Sequence, residues 1–472
     1  MCGIIGVINI DGKPVAGEVY KGLLSLQHRG QDSTGILCFD KVRMNVKKGI
    51  GLVSQVFSEQ NLSLLKGSMG LGHVRYCTVG SLKSSKVDAA PFAVSIPYSI
   101  ATTHNSNLIN YSELRERYSS LVESECDGEV MLLLLAEELK KADGDELTPE
   151  EVFTAVGQVM KQLHGSYSVV ALIGRLGLLA FRDPHGIRPL VMGKREDAFA
   201  FASESVALDV LGFDLERDVK PGEAVLIGMN GKVHSRVLNA QGPKHCFFEW
   251  IYFARPDSII EGKSVYEVRL ELGRKLAKYC KTNGDEVVVP VPDTSRSAAQ
   301  GLADELGLNS REGLIKNRYV PRTFILPTGQ RENATRVNLN PVKSVLKGKT
   351  VLLVDDSIVR GTTSKRIIRI VKEHADKVHF LVTCPRHEYP CYYGIDFPVK
   401  DELIAAHKTN DEIREDIGAD ELTYIDIDDM QDAIGLKGEL CMACLNGDYP
   451  TPISEEDVKK MEAERKKERH FC

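Results

Sequence analysis

Apolar residues keep two different rhythms along the chain. Up to about residue 235 they come in short strand-like runs, such as CGIIGVINI from Cys2 and YSVVALIG from Tyr167. Stretches with helical spacing, such as EVMLLLLAEELKKA from Glu129, are interspersed among them. From about residue 260 the pattern becomes a regular alternation. The helical YEVRLELGRKLAKYC gives way to the apolar DEVVVPVP, then SAAQGLADELG, TVLLVDDS and TTSKRIIRIVKEHA. Continuous apolar runs, each followed by a helix, predict parallel strands buried on both faces. Between the two patterns, NAQGPKH is rich in turn formers and suits a linker. The expected organisation is one domain over residues 2–235, a second over 245–450, and a charged tail over 451–472 that forms a solvated helix or frays.

Length agrees with this division, since 472 residues exceed what one hydrophobic core organises. With 43% hydrophobic and 27% charged residues the composition is that of an ordinary globular chain. A net charge of -6 gives no general attraction to nucleic acid or anionic membrane, so any phosphate site must be a local cluster of donors. The N-terminal apolar run is broken by Asn9 and Asp11 and has no basic segment before it, unlike a signal peptide. No uncharged run approaches the roughly 18 residues of a membrane span. The chain therefore reads as cytoplasmic, where its 11 cysteines are core residues, metal ligands or nucleophiles in preference to disulfides.

The strongest motif is VLLVDDSIVRGTTS, residues 351–364. An apolar strand ends in two acids, and a Ser/Gly/Thr loop then opens a helix. Backbone N–H groups across Ser357, Ile358, Val359, Arg360, Gly361, Thr362 and Thr363 can surround a phosphate, helped by the hydroxyls. Asp355 and Asp356 suit ribose hydroxyls or a magnesium ion. The dipeptide alone is more simply two solvated acids at a strand–helix joint. The complete pattern resembles the signature of type I phosphoribosyltransferases, which implies 5-phosphoribosyl-1-pyrophosphate as substrate and Mg2+ as its counterion. No G-x-G-x-x-G follows a strand, against a nicotinamide site. A second strand–loop–helix, VVVPVPDTSRSAAQG, offers Asp293 to Ser297 for the pyrophosphate, with Thr294 near the metal. Lys316, Arg318, Arg322, Arg331 and Arg336 follow in LIKNRYVPRTFI and QRENATR. A solvated face is the plain alternative, but closure over a polyanion fits better, with Lys316 and Arg322 in the closing loop.

Cys2 alone is weak evidence of chemistry, since a free cysteine is often a small core hydrophobe. It has companions in LQHRGQDSTG, GHVRYCTVG, HNSNLIN, CDGE and RDPHGIRPL, in that order. Together these resemble the glutaminase domain of N-terminal-nucleophile amidotransferases, an αββα sandwich. The pair of halves, from Cys2 to about Tyr449, resembles the amidophosphoribosyltransferase family. The resemblance implies that Cys2 attacks the side-chain amide of glutamine, with its own α-amine carrying the proton. Arg75 would hold the α-carboxylate of glutamine and Asp127 its α-ammonium. Asn105 and the backbone N–H of Ser106 would form the oxyanion hole. Arg29 and Asp32 are expected to shape the loop, and His28, His73 and His104 to be framework residues. Tyr252, in YFARPDS, is a candidate for coupling the two sites through a shielded ammonia passage.

Three positions depart from the family pattern. Ser106 replaces the oxyanion-hole glycine, Cys77 replaces a serine, and Pro321 stands where a glycine is expected. At positive φ, serine carries strain of about 1 kcal/mol; at negative φ its amide still donates at no such cost.

Cys441 and Cys444, in CMAC, have a spacing shared by zinc, iron–sulfur and dithiol sites. Cys246 and Cys391 fall where the cluster-bearing branch of the family has its other ligands. The resemblance therefore implies a structural [4Fe–4S] cluster, with structural Zn2+ as the alternative. Cys38, Cys126, Cys280, Cys384 and Cys472 are expected to be bystanders. The family further implies a homo-oligomer, often a tetramer, inhibited by purine nucleotides. Two rivals read less well: a non-catalytic nucleotide sensor would add a DNA-binding module, and a glucosamine-phosphate synthase would lack VDDSIVRGTT.

Overall fold

The computed structural model describes residues 1–76, 86–142, 147–317, 339–397 and 399–469. In the first half, the strand Gly3–Asn9 lies in the middle of a seven-stranded antiparallel sheet. Ala198–Ala202 pairs with it on one side and Met69–Arg75 on the other. Its side chains alternate between two cores. Ile4 and Ile8 enter the layer between the sheets, while Ile5 and Val7 pack beneath the helices Ala16–Ser25 and Ser205–Leu211. Burial on both faces explains why the segment reads as one apolar run with no polar phase.

The second sheet has six antiparallel strands, with Ile100–Leu108 paired to Gly165–Ile173. Val170 and Leu172 face the first sheet, whereas Val169, Ala171 and Ile173 meet the helices Asp127–Leu139 and Pro149–Gln162. Two sheets between two helical layers make the αββα sandwich.

The second half holds a five-stranded parallel sheet in the order Asn309–Ser310, Val287–Pro290, Thr350–Asp355, Lys377–Val382 and Glu421–Tyr424. All its pairings are parallel. The helices Val265–Leu276 and Arg296–Leu306 pack closely on one another, and Thr362–Lys372 packs on Asn410–Ile417. The linker stretch 238–244 holds no regular element, and Glu455–Arg469 in the tail is helical. Among the described residues no helix is long and apolar enough to cross a membrane.

The halves touch through several buried contacts. Arg29 Nη2 meets Glu249 Oε1 across the halves at 2.8 Å, and within the second half His245–Cys246 pairs in parallel with Leu440–Cys441. Asn107 Nδ2 donates to the Tyr392 carbonyl at 2.8 Å, and Ser166 Oγ to the Tyr393 carbonyl at 2.9 Å.

Candidate active sites

Because Gly3–Asn9 is held on both sides, the residue just before it has little freedom. Cys2 is 8% exposed. Its backbone N–H donates to Asn105 Oδ1 at 3.1 Å, its carbonyl accepts from Arg29 Nε at 3.1 Å, and its Sγ lies 3.8 Å from the Tyr76 carbonyl. Met1 is buried as well, and burial pulls its α-amine down to about 6.

Asn105 has divided its amide. Oδ1 is spent on Cys2, while Nδ2 is buried and has no partner among the described residues. A buried orphan donor beside a thiol is costly in the resting state and useful when an oxyanion forms. The neighbouring N–H follows from register. Ser106 stands opposite Tyr167, but the N–H and C=O of Tyr167 both bond to Asp183 on its other side. Ser106 and Tyr167 are thus a non-hydrogen-bonded pair, so the Ser106 N–H points away from that strand. Leu108, of the same parity, sends its N–H to Asp127 Oδ2 at 3.2 Å, which fixes the direction. Ser106 is absent from the residues with positive φ, so serine carries no left-handed strain there. Its hydroxyl donates to Asp127 Oδ2 at 2.8 Å.

Arg75 ends the strand Met69–Arg75, is 3% exposed, and has Nη1 3.8 Å from Asp88 Oδ2. Burial lowers the pKa of both His73 and His104, which keeps these rings neutral. His28 Nε2 meets Glu204 Oε1 at 2.7 Å.

Sequence reasoning missed the charges behind Cys2. Arg29 is fully buried, and its guanidinium bonds Glu204 at 2.5 Å and Glu249 at 2.8 and 3.0 Å. Burial alone would raise the Glu204 carboxyl, but His28 and Arg29 hold it well below the usual range. Its second oxygen accepts from the Arg255 N–H at 2.9 Å and Ser258 Oγ at 2.7 Å. Lone acids in the buried runs ASES and FFEW were the available signal.

In the second half, Asp355 closes the strand Thr350–Asp355, with Asp356 just beyond it. They are 7% and 8% exposed. Thr294 Oγ1 donates to Asp356 Oδ2 at 2.6 Å, Ser357 Oγ to its Oδ1 at 2.7 Å, and Ser295 Oγ to Asp355 Oδ1 at 3.5 Å. Burial raises both carboxyls above the ordinary range, and the charge of Asp356 raises Asp355 further. Gly361, at φ 76°, turns the chain into the helix Thr362–Lys372 in a conformation that suits glycine. Ile358 anchors the loop in the core, the Val359 carbonyl accepts from Ile404, and Arg360 pairs with Glu402 at 2.7 Å. The loop backbone therefore stands at a helix N-terminus, with the side chains of Ile358 and Arg360 held aside.

Lys316 Nζ reaches Asp293 Oδ2 at 3.5 Å, which joins the start of the basic segment to the second loop. Arg318, Pro321, Arg322, Arg331, Arg336, Cys77 and Cys472 lie outside the described residues. Tyr252 packs on Phe248 and Phe253, with ring centroids 5.4 and 5.5 Å away, in the turn Glu249–Phe253 between the halves. Arg269 pins that turn, donating to the Trp250 and Ala254 carbonyls at 2.7 and 2.8 Å.

Cys246, Cys391, Cys441 and Cys444 are all buried and none forms a disulfide. Cys246 stands opposite Cys441 in the short parallel pairing, and Cys391 Sγ accepts from the Tyr393 N–H at 3.4 Å. Burial pushes Cys246 up to about 12 and raises Cys441 and Cys444, with the other thiols of the set adding to the effect. Four buried thiols with no disulfide among them suit a cationic metal group, which would hold them as thiolates.

Comparison with known proteins follows this geometry. Residues 80–210 match the glutamine amidotransferase domain, and residues 263–395 the phosphoribosyl transferase domain. The chain is 43% identical to an amidophosphoribosyltransferase of Haemophilus influenzae, over 98% of this chain and 96% of that one. It is 44% identical to the amidophosphoribosyltransferase of Methanothermobacter thermautotrophicus, over 98% and 97%. The solved glutamine phosphoribosylpyrophosphate amidotransferase of Bacillus subtilis, complexed with ADP and GMP, superposes with a TM-score of 0.86 at 37% identity, covering 96% of this chain and 98% of that one.

Proposed function

The chain belongs to the amidophosphoribosyltransferase family, and from that premise we propose how its residues divide the work. The activity is glutamine-dependent phosphoribosyl transfer: glutamine releases ammonia, which displaces pyrophosphate from 5-phosphoribosyl-1-pyrophosphate to give 5-phosphoribosylamine, the first step of purine biosynthesis.

In our reading, residues 2–235 are the glutaminase domain and 245–450 the phosphoribosyltransferase domain. Loss of Met1 turns the Cys2 N–H, which already bonds Asn105, into the α-amine that accepts the thiol proton. The Cys2 thiolate attacks the glutamine amide, and the resulting oxyanion receives Asn105 Nδ2 and the Ser106 N–H. Collapse of this intermediate breaks the C–N bond and expels ammonia, which takes the proton held by the α-amine. Water then hydrolyses the thioester to glutamate and frees the thiol. Arg75 binds the α-carboxylate and Asp127 the α-ammonium. The observation that carries this reading is the split amide of Asn105, with one end on the nucleophilic residue and the other an unpartnered buried donor.

At the second site, residues 357–363 hold the 5′-phosphate, and Asp355 and Asp356 face the ribose. Mg2+, held through Thr294, Asp355 and Asp356, would neutralise the pyrophosphate. Lys316 and Arg322 close over the substrate, which keeps water from the cation-like ribose. Tyr252 couples this closure to the glutaminase half. Cys246, Cys391, Cys441 and Cys444 hold a structural [4Fe–4S] cluster that ties the linker to the C-terminal segment. Purine nucleotides inhibit by occupying the phosphate loop, and the working form is a homotetramer.

The cluster is the part most open to direct test. Anaerobically purified protein should contain about four iron and four sulfide per chain. One zinc with no iron or sulfide overturns the cluster assignment.

A further inference from the structure

Three side chains of different chemistry meet next to the oxyanion hole. His104 Nε2 lies 3.4 Å from Cys126 Sγ and 3.6 Å from Asp127 Oδ1, and Cys126 Sγ lies 3.8 Å from Asp127 Oδ1. All three residues are buried. A tetrahedral zinc ion, with bonds of about 2.3 Å to sulfur and about 2.0–2.1 Å to nitrogen and oxygen, sets its ligand atoms roughly 3.3–3.6 Å apart. The triangle already present needs shifts of only about 0.3 Å to match those edges.

Each ligand is held from behind. Ser106 Oγ and the Leu108 N–H both bond Asp127 Oδ2, which leaves Oδ1 facing His104 and Cys126. Gly128 lets the imidazole sit directly over the helix start, since a Cβ there would lie 1.9 Å from His104 Cε1. The N-terminus of the helix Asp127–Leu139 lies beside the carboxylate and the thiol, but burial raises the Cys126 thiol well above its ordinary value, so the thiolate forms only with the cation bound. The charge of Arg75 acts on both His104 and Cys126 and opposes a cation, but two anionic ligands offset it. Hydrogen bonds of Cys126 Sγ to His104 and to Asp127 account for two edges of the triangle, and the approach of His104 Nε2 to Asp127 Oδ1 is the edge they leave over.

We infer that His104, Cys126 and Asp127 form a three-ligand site for a zinc-type divalent cation, its fourth position left to water. Binding releases the Cys126 thiol proton to solvent and makes one bond each to nitrogen, sulfur and oxygen. The functional consequence rests on the reading of Asp127 given above: the ion takes the carboxylate that binds the α-ammonium of glutamine. It therefore competes with glutamine and stops the supply of ammonia, while synthesis from added ammonia continues.

The test is equilibrium dialysis of the full chain against zinc alone, in a Cys2→Ala background that removes the nucleophile's own thiol. Cys126→Ser and Cys126→Ala should each weaken binding of one zinc per chain by at least about tenfold, as expected on loss of a ligand. Saturating glutamine should raise the apparent Kd of the parent protein and leave that of the Cys126 variants unchanged. Equal zinc affinity in parent and both variants overturns the site. Binding that depends on Cys126 but ignores glutamine keeps the site and refutes the role of Asp127.

Discussion

The two halves treat buried charge in opposite ways. Behind Cys2, Arg29 is clamped between Glu204 and Glu249, and every one of these groups is buried. At the phosphoribosyl loop, Asp355 and Asp356 lie side by side, and the hydrogen bonds they accept come from hydroxyls and a backbone N–H. The first arrangement holds the Glu204 carboxylate ionised. The second pushes both acids toward the neutral form. On the assignment proposed above, the glutaminase site is built by the chain itself, whereas the phosphoribosyl site would be completed by the cation and substrate it binds.

Breaking that contrast has consequences of different size. Replacing both acids, Asp355→Asn with Asp356→Asn, should abolish product from either nitrogen source, a loss beyond about 10³-fold. The same unliganded protein should be no less stable than the parent, because two costly buried acids are gone. The sign follows from the raised pKa. The folded state binds more protons than the unfolded chain between the ordinary aspartate value of 3.8 and the raised one. Stability of the parent therefore falls as pH rises through that window, and denaturant melts should show the double variant free of that decline.

Asn105→Ala should lower glutamine-dependent kcat by about 10²–10³ and leave ammonia-dependent turnover intact, the mark of a donor used only in the transition state. Glu204→Ala should cost about 3 kcal/mol in urea melts, near the low end for a broken buried pair because Glu249 still faces Arg29. The Glu204 carboxyl is depressed, so its contribution is present above the ordinary value of 4.5 and is lost as pH falls through the folded one. Ser106→Gly should change glutamine kcat/KM by about 1 kcal/mol or less, since negative φ leaves no strain to relieve and only the bond to Asp127 is lost.

What could be read in advance follows the same divide. The strand after Cys2 was legible because burial on both faces leaves an unbroken apolar run, and the second strand–loop–helix joint because its residues are contiguous from Asp355 to Thr363. The cluster behind Cys2 was not legible. Arg29, Glu204 and Glu249 come from distant segments, and pairing is a property of the folded sheet, not of spacing. The meeting of Cys126 with His104 was out of reach for the same reason, as one precedes a helix and the other lies on the strand Ile100–Leu108. The sign of φ at Ser106 was equally out of reach, because it depends on the register opposite Tyr167.

The central claim is that one chain carries two separable sites joined by ammonia. Cys2→Ala protein supplied in turn with glutamine and with ammonium salt, with 5-phosphoribosyl-1-pyrophosphate present, tests it most directly through pyrophosphate release. The account predicts no release with glutamine and parental release with ammonia. Loss of both activities, or survival of the glutamine-dependent one, would contradict it.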